Sequence, residues 1–249
     1  MFVHGAGGSG DFWELVRPQF PGAWMVDLPG HAAGRTRRPG HVASLVEQPL
    51  ESIDTMADWL MEQVAARSLT NVVLVGHSMG GGVVQAVAVR QPPWLRGLVL
   101  SSTGSQLPVP PTVLRLLEED HGAAVDWLLE QAFASRPTGY RREGIRRQLL
   151  RVPAAVTRAD YRACAGFDTR VLLVEGALSG PALVISGAED RLTPPAASAY
   201  LLTHILVAHT AVIARAGHMA PVEQPAAWSE AVLAWARVAL TARRQAPQP

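Results

Sequence analysis

A mainly parallel α/β sheet of about six strands, with helices on both faces and a helical cap, is the fold class this chain predicts. Three features carry it. Short apolar runs alternate with segments of helical periodicity, the pattern of buried parallel strands joined by crossovers. The run Asn71 to Val75 leads straight into Gly76-His77-Ser78-Met79-Gly80 and then into an apolar helical stretch, which reads as strand, tight turn and helix. Residues 105–165 break the alternation with amphipathic segments and recurrent prolines, which reads as a helical insertion lying over the sheet. Residues 1–104 and 166–249 are then two parts of one core, and residues 105–165 are its cap.

The elements follow in order. Phe2-Val3 is a short first strand ending at His4-Gly5, and a glycine-rich loop runs from Gly5 to Gly10. Phe12 to Val16 begins a helix. Ala23 to Asp27 is a second strand, closed by Leu28-Pro29-Gly30-His31. Residues 32–51 carry Gly, Pro and Arg without clear periodicity and read as a long loop. Ile53, Met56, Ala57, Leu60, Met61 and Val64 recur at helical spacing. The strand ending at Gly76 comes next, and Leu98 to Ser102 is another strand. Beyond the cap, Val171 to Val174 is a short helix or connector, Ala182 to Ser186 a strand, and Gly187 to Asp190 the loop at its end. Pro194 to Leu206 reads as a helix, Thr210 to Ala214 as the last strand, and Pro225 to Ala242 as the final helix. The Gln/Pro tail is expected to fray.

Composition narrows the function classes. With 249 residues and 48% hydrophobic content the chain can bury a sizeable core. A net charge of +1 gives no field favouring nucleic acid or an anionic membrane, and the basic clusters have no interleaved aromatics. All 22 basic residues are arginine, which reads as coding bias or a heat-adapted source. The single cysteine, Cys164, excludes an internal disulfide and a multi-thiolate metal site and reads as a small buried apolar residue. The chain opens without a basic region or apolar leader, and the uncharged residues 71–89 contain too many glycines for a membrane span. The expectation is a cytoplasmic protein, monomer or homodimer, with a small-molecule substrate.

Ser78 is the candidate nucleophile. It must adopt a strained backbone conformation so that its hydroxyl clears the sheet, and the flanking glycines let strand and helix pass closely. Its base is expected in a loop at the carboxyl end of another strand. His218, in Gly217-His218-Met219 after the last strand, meets that condition, and Asp190 is the acid that would orient it, in the order Ser…Asp…His. Glu189 competes with Asp190, and Asp168 is a weaker alternative. The oxyanion hole needs two N–H donors, one from Met79 and one from the His4-Gly5-Ala6-Gly7-Gly8 loop, most plausibly Ala6. That loop also fits the spacing of a dinucleotide-binding turn, with Asp27 as its acidic partner. His77 reads as a packing or hydrogen-bonding neighbour of Ser78, not a second base. Trp127, Leu128 and Phe133 line an acyl pocket or pack the cap helices together, and Met219 joins the pocket set. Arg141, Arg142, Arg146, Arg147 and Arg151 read as a solvated cap face or a docking surface for an acidic carrier.

Taken together these motifs resemble the α/β-hydrolase superfamily. The match rests on His4-Gly5-Ala6-Gly7, Asp27-Leu28-Pro29-Gly30-His31, Gly76-His77-Ser78-Met79-Gly80-Gly81, Ser186 to Pro194, and Gly217-His218-Met219 with Glu223-Gln224-Pro225. Within the superfamily the chain looks like small capped serine esterases, such as pimeloyl-carrier methyl esterases and enol-lactone hydrolases. Two antiparallel strands usual ahead of the His-Gly loop are missing, so either the sheet is trimmed or the start of the chain is lost. The turn that follows reads Gly30-His31-Ala32-Ala33-Gly34 in place of the family's Gly-His-Gly-x-Ser. The resemblance implies hydrolysis of a small or medium ester or lactone through an acyl-enzyme at Ser78, without metal or organic cofactor. A cofactor-free perhydrolase or haloperoxidase-type activity would use the same triad, and a non-catalytic ligand-binding version of the fold is the third reading.

Overall fold

The computed structural model describes residues 1–31, 40–44, 48–135, 139–174, 176, 178 and 180–242. Much of the loop expected at 32–51, the residues Ala32-Ala33-Gly34, Pro137 and the tail from residue 243 lie outside the described residues.

Strands β1 (Phe2–Val3), β2 (Met25–Asp27), β3 (His41–Ala43), β4 (Val72–His77), β5 (Leu95–Ser101), β6 (Pro181–Gly187) and β7 (Val207–Ile213) form one sheet in the order β3-β2-β1-β4-β5-β6-β7. Every pairing is parallel. The sheet thus has seven strands rather than six. The added one, β3, falls inside the stretch read as a loop: it is three residues long and pairs only with β2, Met25 opposite His41 and Asp27 opposite Ala43. A strand that short, bordered by Gly40, has no periodicity to show.

The inner strands are apolar without alternation because both faces are covered. Val3, Leu74, Leu98, Leu100 and Val184 face one core, against α1 (Ile53–Ala66) and α2 (Met79–Val89). Phe2, Val75, Val99, Leu183 and Ile185 face the other, against Trp13 and against Trp228, Val232 and Trp235 of the C-terminal helix Pro225–Ala242. Ser52 starts α1 with a reciprocal cap, its Oγ accepting from Thr55 N at 3.1 Å. The helix expected at Phe12 is instead two short 3₁₀ turns, Gly10–Trp13 and Arg17–Gln19, the second carrying Pro18.

Between β5 and β6 lie α3 (Pro111–Glu119), α4 (His121–Ala132), α5 (Gly139–Arg151), α6 (Ala154–Ala165) and the short α7 (Arg170–Val174). The neck of this insertion is laced shut: Gln106 pairs with Asp168 as an antiparallel bridge, Thr169 N donates to Ser105 O at 2.9 Å, and Thr169 Oγ1 donates to Gln85 Oε1 of α2 at 3.0 Å. On α5, Arg146 forms a two-bonded pair with Asp126, and Arg141 donates to Glu223 O at 2.7 Å. After β6, the helix expected over Pro194 to Leu206 is a 3₁₀ turn (Pro195–Ser198) and α8 (Ala199–His204), because β7 already begins at Val207. Beyond β7 come α9 (Ala220–Glu223) and α10 (Pro225–Ala242). No helix of the described residues is long and apolar enough to cross a membrane.

Candidate active site

β4 delivers Ser78 to the carboxyl end of the sheet. Its φ of 53° and ψ of −119° lie in a region that costs a non-glycine residue about 1–3 kcal/mol and survives only where the surroundings enforce it. Ser78 N donates to Ser101 O at 2.9 Å, while Ser78 O accepts from Gly81 N at 2.8 Å and from Thr103 Oγ1 at 3.0 Å. A Cβ on Gly76 would lie 2.2 Å from Gly80 O, and one on Gly80 2.4 Å from Val3 O, so α2 can start here only against glycine.

His218 stands in the loop after β7, 4% exposed. Its Nδ1 lies 3.0 Å from Asp190 Oδ2 and 3.2 Å from Oδ1. A carboxylate only accepts, so Nδ1 carries the proton and Nε2 is left for acid–base work. Asp190 also accepts from Leu192 N (3.0 Å), Thr193 N (2.9 Å) and Thr193 Oγ1 (2.9 Å). Burial alone would raise this carboxyl. The charge and hydrogen bond of His218, with the Thr193 donors, outweigh burial and hold it below the usual carboxylate range. Glu189 turns away to accept from Ser135 N at 3.1 Å, and Asp168 pairs with Arg170 at the surface, so neither alternative acid meets the imidazole.

Two residues hold the His218 loop that the sequence does not single out for this task. His77 Nε2 donates to His218 O at 2.9 Å. Burial first, and then the neighbouring His218 charge, push the His77 ring down to about 3, so it stays neutral and is no second base. Glu223 Oε1 accepts from Gly217 N and its Oε2 from Ala134 N, both at 2.8 Å, tying the histidine loop to the end of α4. The sequence shows Glu223 only as part of a motif; what it binds is set by the fold.

Ser78 and His218 line the same cleft, and among the described residues no hydrogen bond of 3.5 Å or less joins Ser78 Oγ to His218. Such contacts are often long before substrate binds and tighten in the complex. Ala6 lines the cleft as well; Met79 is buried behind it and follows Ser78 directly. The loop carrying Ala6 is shaped by His4, whose Nδ1 donates to Gly5 O at 2.8 Å and whose Nε2 accepts from Leu28 N at 3.3 Å. Asp27, the acid a dinucleotide turn would need, accepts from Gly10 N at 2.7 Å and so ties the end of the loop to β2.

The cleft is walled by aliphatic side chains from residues 105–165, among them Leu107, Val109, Val125, Leu128 and Leu149. Among the described residues, no Asp, Glu, Lys or Arg lines it. Leu128 and Met219 stand in that lining, whereas Trp127 and Phe133, expected beside them, do not. The reason is helical phase: Val125, Leu128 and Ala132 share the α4 stripe facing the cleft. Trp127 packs beside Val113 and Leu117, and Phe133 is sealed in the core with Trp228. Thr157 also faces the cleft, its buried Oγ1 without a hydrogen-bond partner. Cys164 forms part of the wall, and burial pushes its thiol up, away from thiolate chemistry.

A parallel sheet that presents a strained serine turn and a buried histidine–carboxylate pair to one apolar cleft is the architecture of a hydrolase. Residues 1–231 match the alpha/beta hydrolase family, and the chain belongs to it. It is 27% identical over 250 residues to the pimeloyl-[acyl-carrier protein] methyl ester esterase of Aeromonas salmonicida, covering 93% of this chain and 92% of that protein. It is 25% identical over 237 residues to the enzyme of the same name from Neisseria meningitidis serogroup C, covering 87% and 84%. Among solved structures, a thermophilic esterase superposes with a TM-score of 0.78 at 30% identity, covering 95% of this chain and 88% of that one.

Proposed function

We propose that this chain is a carboxylic ester hydrolase that uses Ser78, His218 and Asp190 to cleave a neutral, apolar small or medium acyl ester or lactone. The observation that carries the reading is the Asp190–His218 pair, 3.0 Å apart and buried, opening on the same cleft as the strained Ser78. In this reading Ser78 Oγ attacks the carbonyl carbon as its proton passes to His218 Nε2, and Asp190 stabilises the imidazolium. The carbonyl oxygen, now negative, is met by the N–H groups of Ala6 and Met79. Collapse breaks the ester C–O bond, His218 returns the proton to the leaving alcohol, and water then releases the acid by the same path.

The neutral acyl group follows from the wall of the cleft. A substrate carboxylate would lose its hydration there with no cation among the described residues to meet it. Thr157 Oγ1, near Gly7 and without a partner among the described residues, is a donor available to an ester oxygen. The helices of residues 105–165 act as the cap that sets acyl length. The cytoplasmic location and the monomer or homodimer state belong to the same proposal.

A fluorophosphonate probe and a panel of p-nitrophenyl esters test this. The expected result is covalent labelling at Ser78 and faster hydrolysis of butyrate or hexanoate than of the hemisuccinate, which carries a terminal carboxylate. Folded protein that is neither labelled nor active would point to the ligand-binding reading, and a preference for the hemisuccinate would overturn the substrate class.

A further inference from the structure

Helix α6 brings a second buried carboxylate to this end of the molecule. We propose that Asp160 is a positioning residue for the oxyanion loop: carried on the cap, it grips the Gly7 N–H and is itself held by the His31 imidazole. The proposal rests on the hydrolase reading above and adds a residue to it.

The geometry is specific. Asp160 is fully buried, and its Oδ2 accepts from Gly7 N at 2.7 Å and from His31 Nε2 at 2.8 Å. His31 Nδ1 faces two carbonyls, Pro29 O at 3.0 Å and Leu28 O at 3.3 Å. Every partner of the ring is an acceptor, so both nitrogens donate and the ring is the imidazolium. Burial opposes that charge, but Asp160 and the carbonyls outweigh it and raise the His31 pKa above the ordinary value. The pair is therefore a buried ion pair with a backbone amide as its third member.

Its neighbours show what it holds. α6 meets two core loops along one face. Val156 Cγ2 would lie 3.0 Å from a Cβ on Gly30, Thr157 Cγ2 would lie 2.9 Å from one on Gly7, and Asp160 bonds to both loops. Gly7 has a φ of +63°, so the chain turns sharply immediately after Ala6, and the amide that joins Ala6 to this turn is the one Asp160 takes. Moving Gly7 moves the Ala6 N–H, and oxyanion donors act only within a few tenths of an ångström of their place. Among the described residues, Asp160 Oδ1 has no partner. A buried carboxylate left half unpaired adds little stability, which suits a group kept for orientation.

The experiment compares wild type, Asp160→Ala and Asp160→Asn with p-nitrophenyl butyrate, together with hydrogen–deuterium exchange over residues 4–10. Asp160→Ala should lower kcat about 100-fold with KM changed less than about threefold, the size of a lost oxyanion donor. In Asp160→Asn the amide oxygen still accepts from Gly7, so about a tenth of kcat should remain. Exchange over residues 4–10 should quicken in both variants while that over residues 187–193 stays unchanged. A loss confined to KM, or equal losses in the two variants, would make the residue merely structural and overturn the proposal. Should Asp160→Ala not fold, wild-type kcat and wild-type loop exchange in the isosteric Asp160→Asn would overturn it alone. A wild type that hydrolyses no ester would instead overturn the hydrolase reading.

Discussion

Among the described residues, two buried histidine–aspartate pairs are joined by hydrogen bonds of nearly equal length, and the proposed function gives them opposite roles. His218 and Asp190 meet at 3.0 Å, His31 and Asp160 at 2.8 Å. The difference lies in the second ring nitrogen. In His218 it is left toward a cleft that also contains Ser78; in His31 it is tied to the Pro29 and Leu28 carbonyls. The carboxylates differ in the same sense: Asp190 is surrounded by Thr193 donors, whereas Asp160 keeps one oxygen unpartnered. A histidine–carboxylate contact alone is therefore no sign of a base. What the far nitrogen faces decides whether the ring moves a proton or fixes a loop.

That contrast can be broken in order of size. Ser78→Ala should remove about 10⁶-fold of kcat on p-nitrophenyl butyrate while leaving the melting temperature unchanged or raised, since it deletes a nucleophile from a strained turn. Asp190→Asn should cost about 10⁴-fold, because an amide favours the wrong imidazole tautomer. If Asp160→Asn costs as much as Asp190→Asn, the two pairs are not distinct in role. Thr193→Val removes one hydroxyl donor from Asp190 and should lower kcat about tenfold, with the low-pH limb of the kcat/KM profile moved upward as the carboxylate loses a stabilising bond.

The smallest effect is on stability against pH. His4 and His77 are buried and neutral, pushed down to about 4 and about 3 from an ordinary 6.5. The unfolded chain binds protons at both below pH 6.5 and the folded chain does not, so their contribution is complete above 6.5 and declines as pH falls toward 4. His31 is raised, so its contribution is complete below 6.5 and is lost only as pH rises through its folded value. Denaturant melts between pH 7 and 4 should therefore show falling stability on the acid side, with His4 and His77 together contributing up to two protons to the slope. A His77→Gln variant should flatten that slope.

The first pair was legible in the sequence and the second was not, for a physical reason. Ser78, Asp190 and His218 each follow a strand directly, so their convergence is dictated by strand ends that short apolar runs reveal. His31 and Asp160 are 129 residues apart, one in an irregular turn and one on a cap helix whose docking depends on tertiary packing. The same cause misplaced Trp127 and Phe133: periodicity shows that α4 is a helix, but the stripe that meets the cleft is chosen by its neighbours. The edge strand β3 escaped notice because a partner's backbone, rather than its own side chains, makes it a strand.

The chain's single thiol sits in the wall of the cleft, buried and protonated. It is thus a built-in reporter of access. Alkylation of Cys164 by a small maleimide should be slow in the folded protein, and an occupant of the acyl space should slow it further.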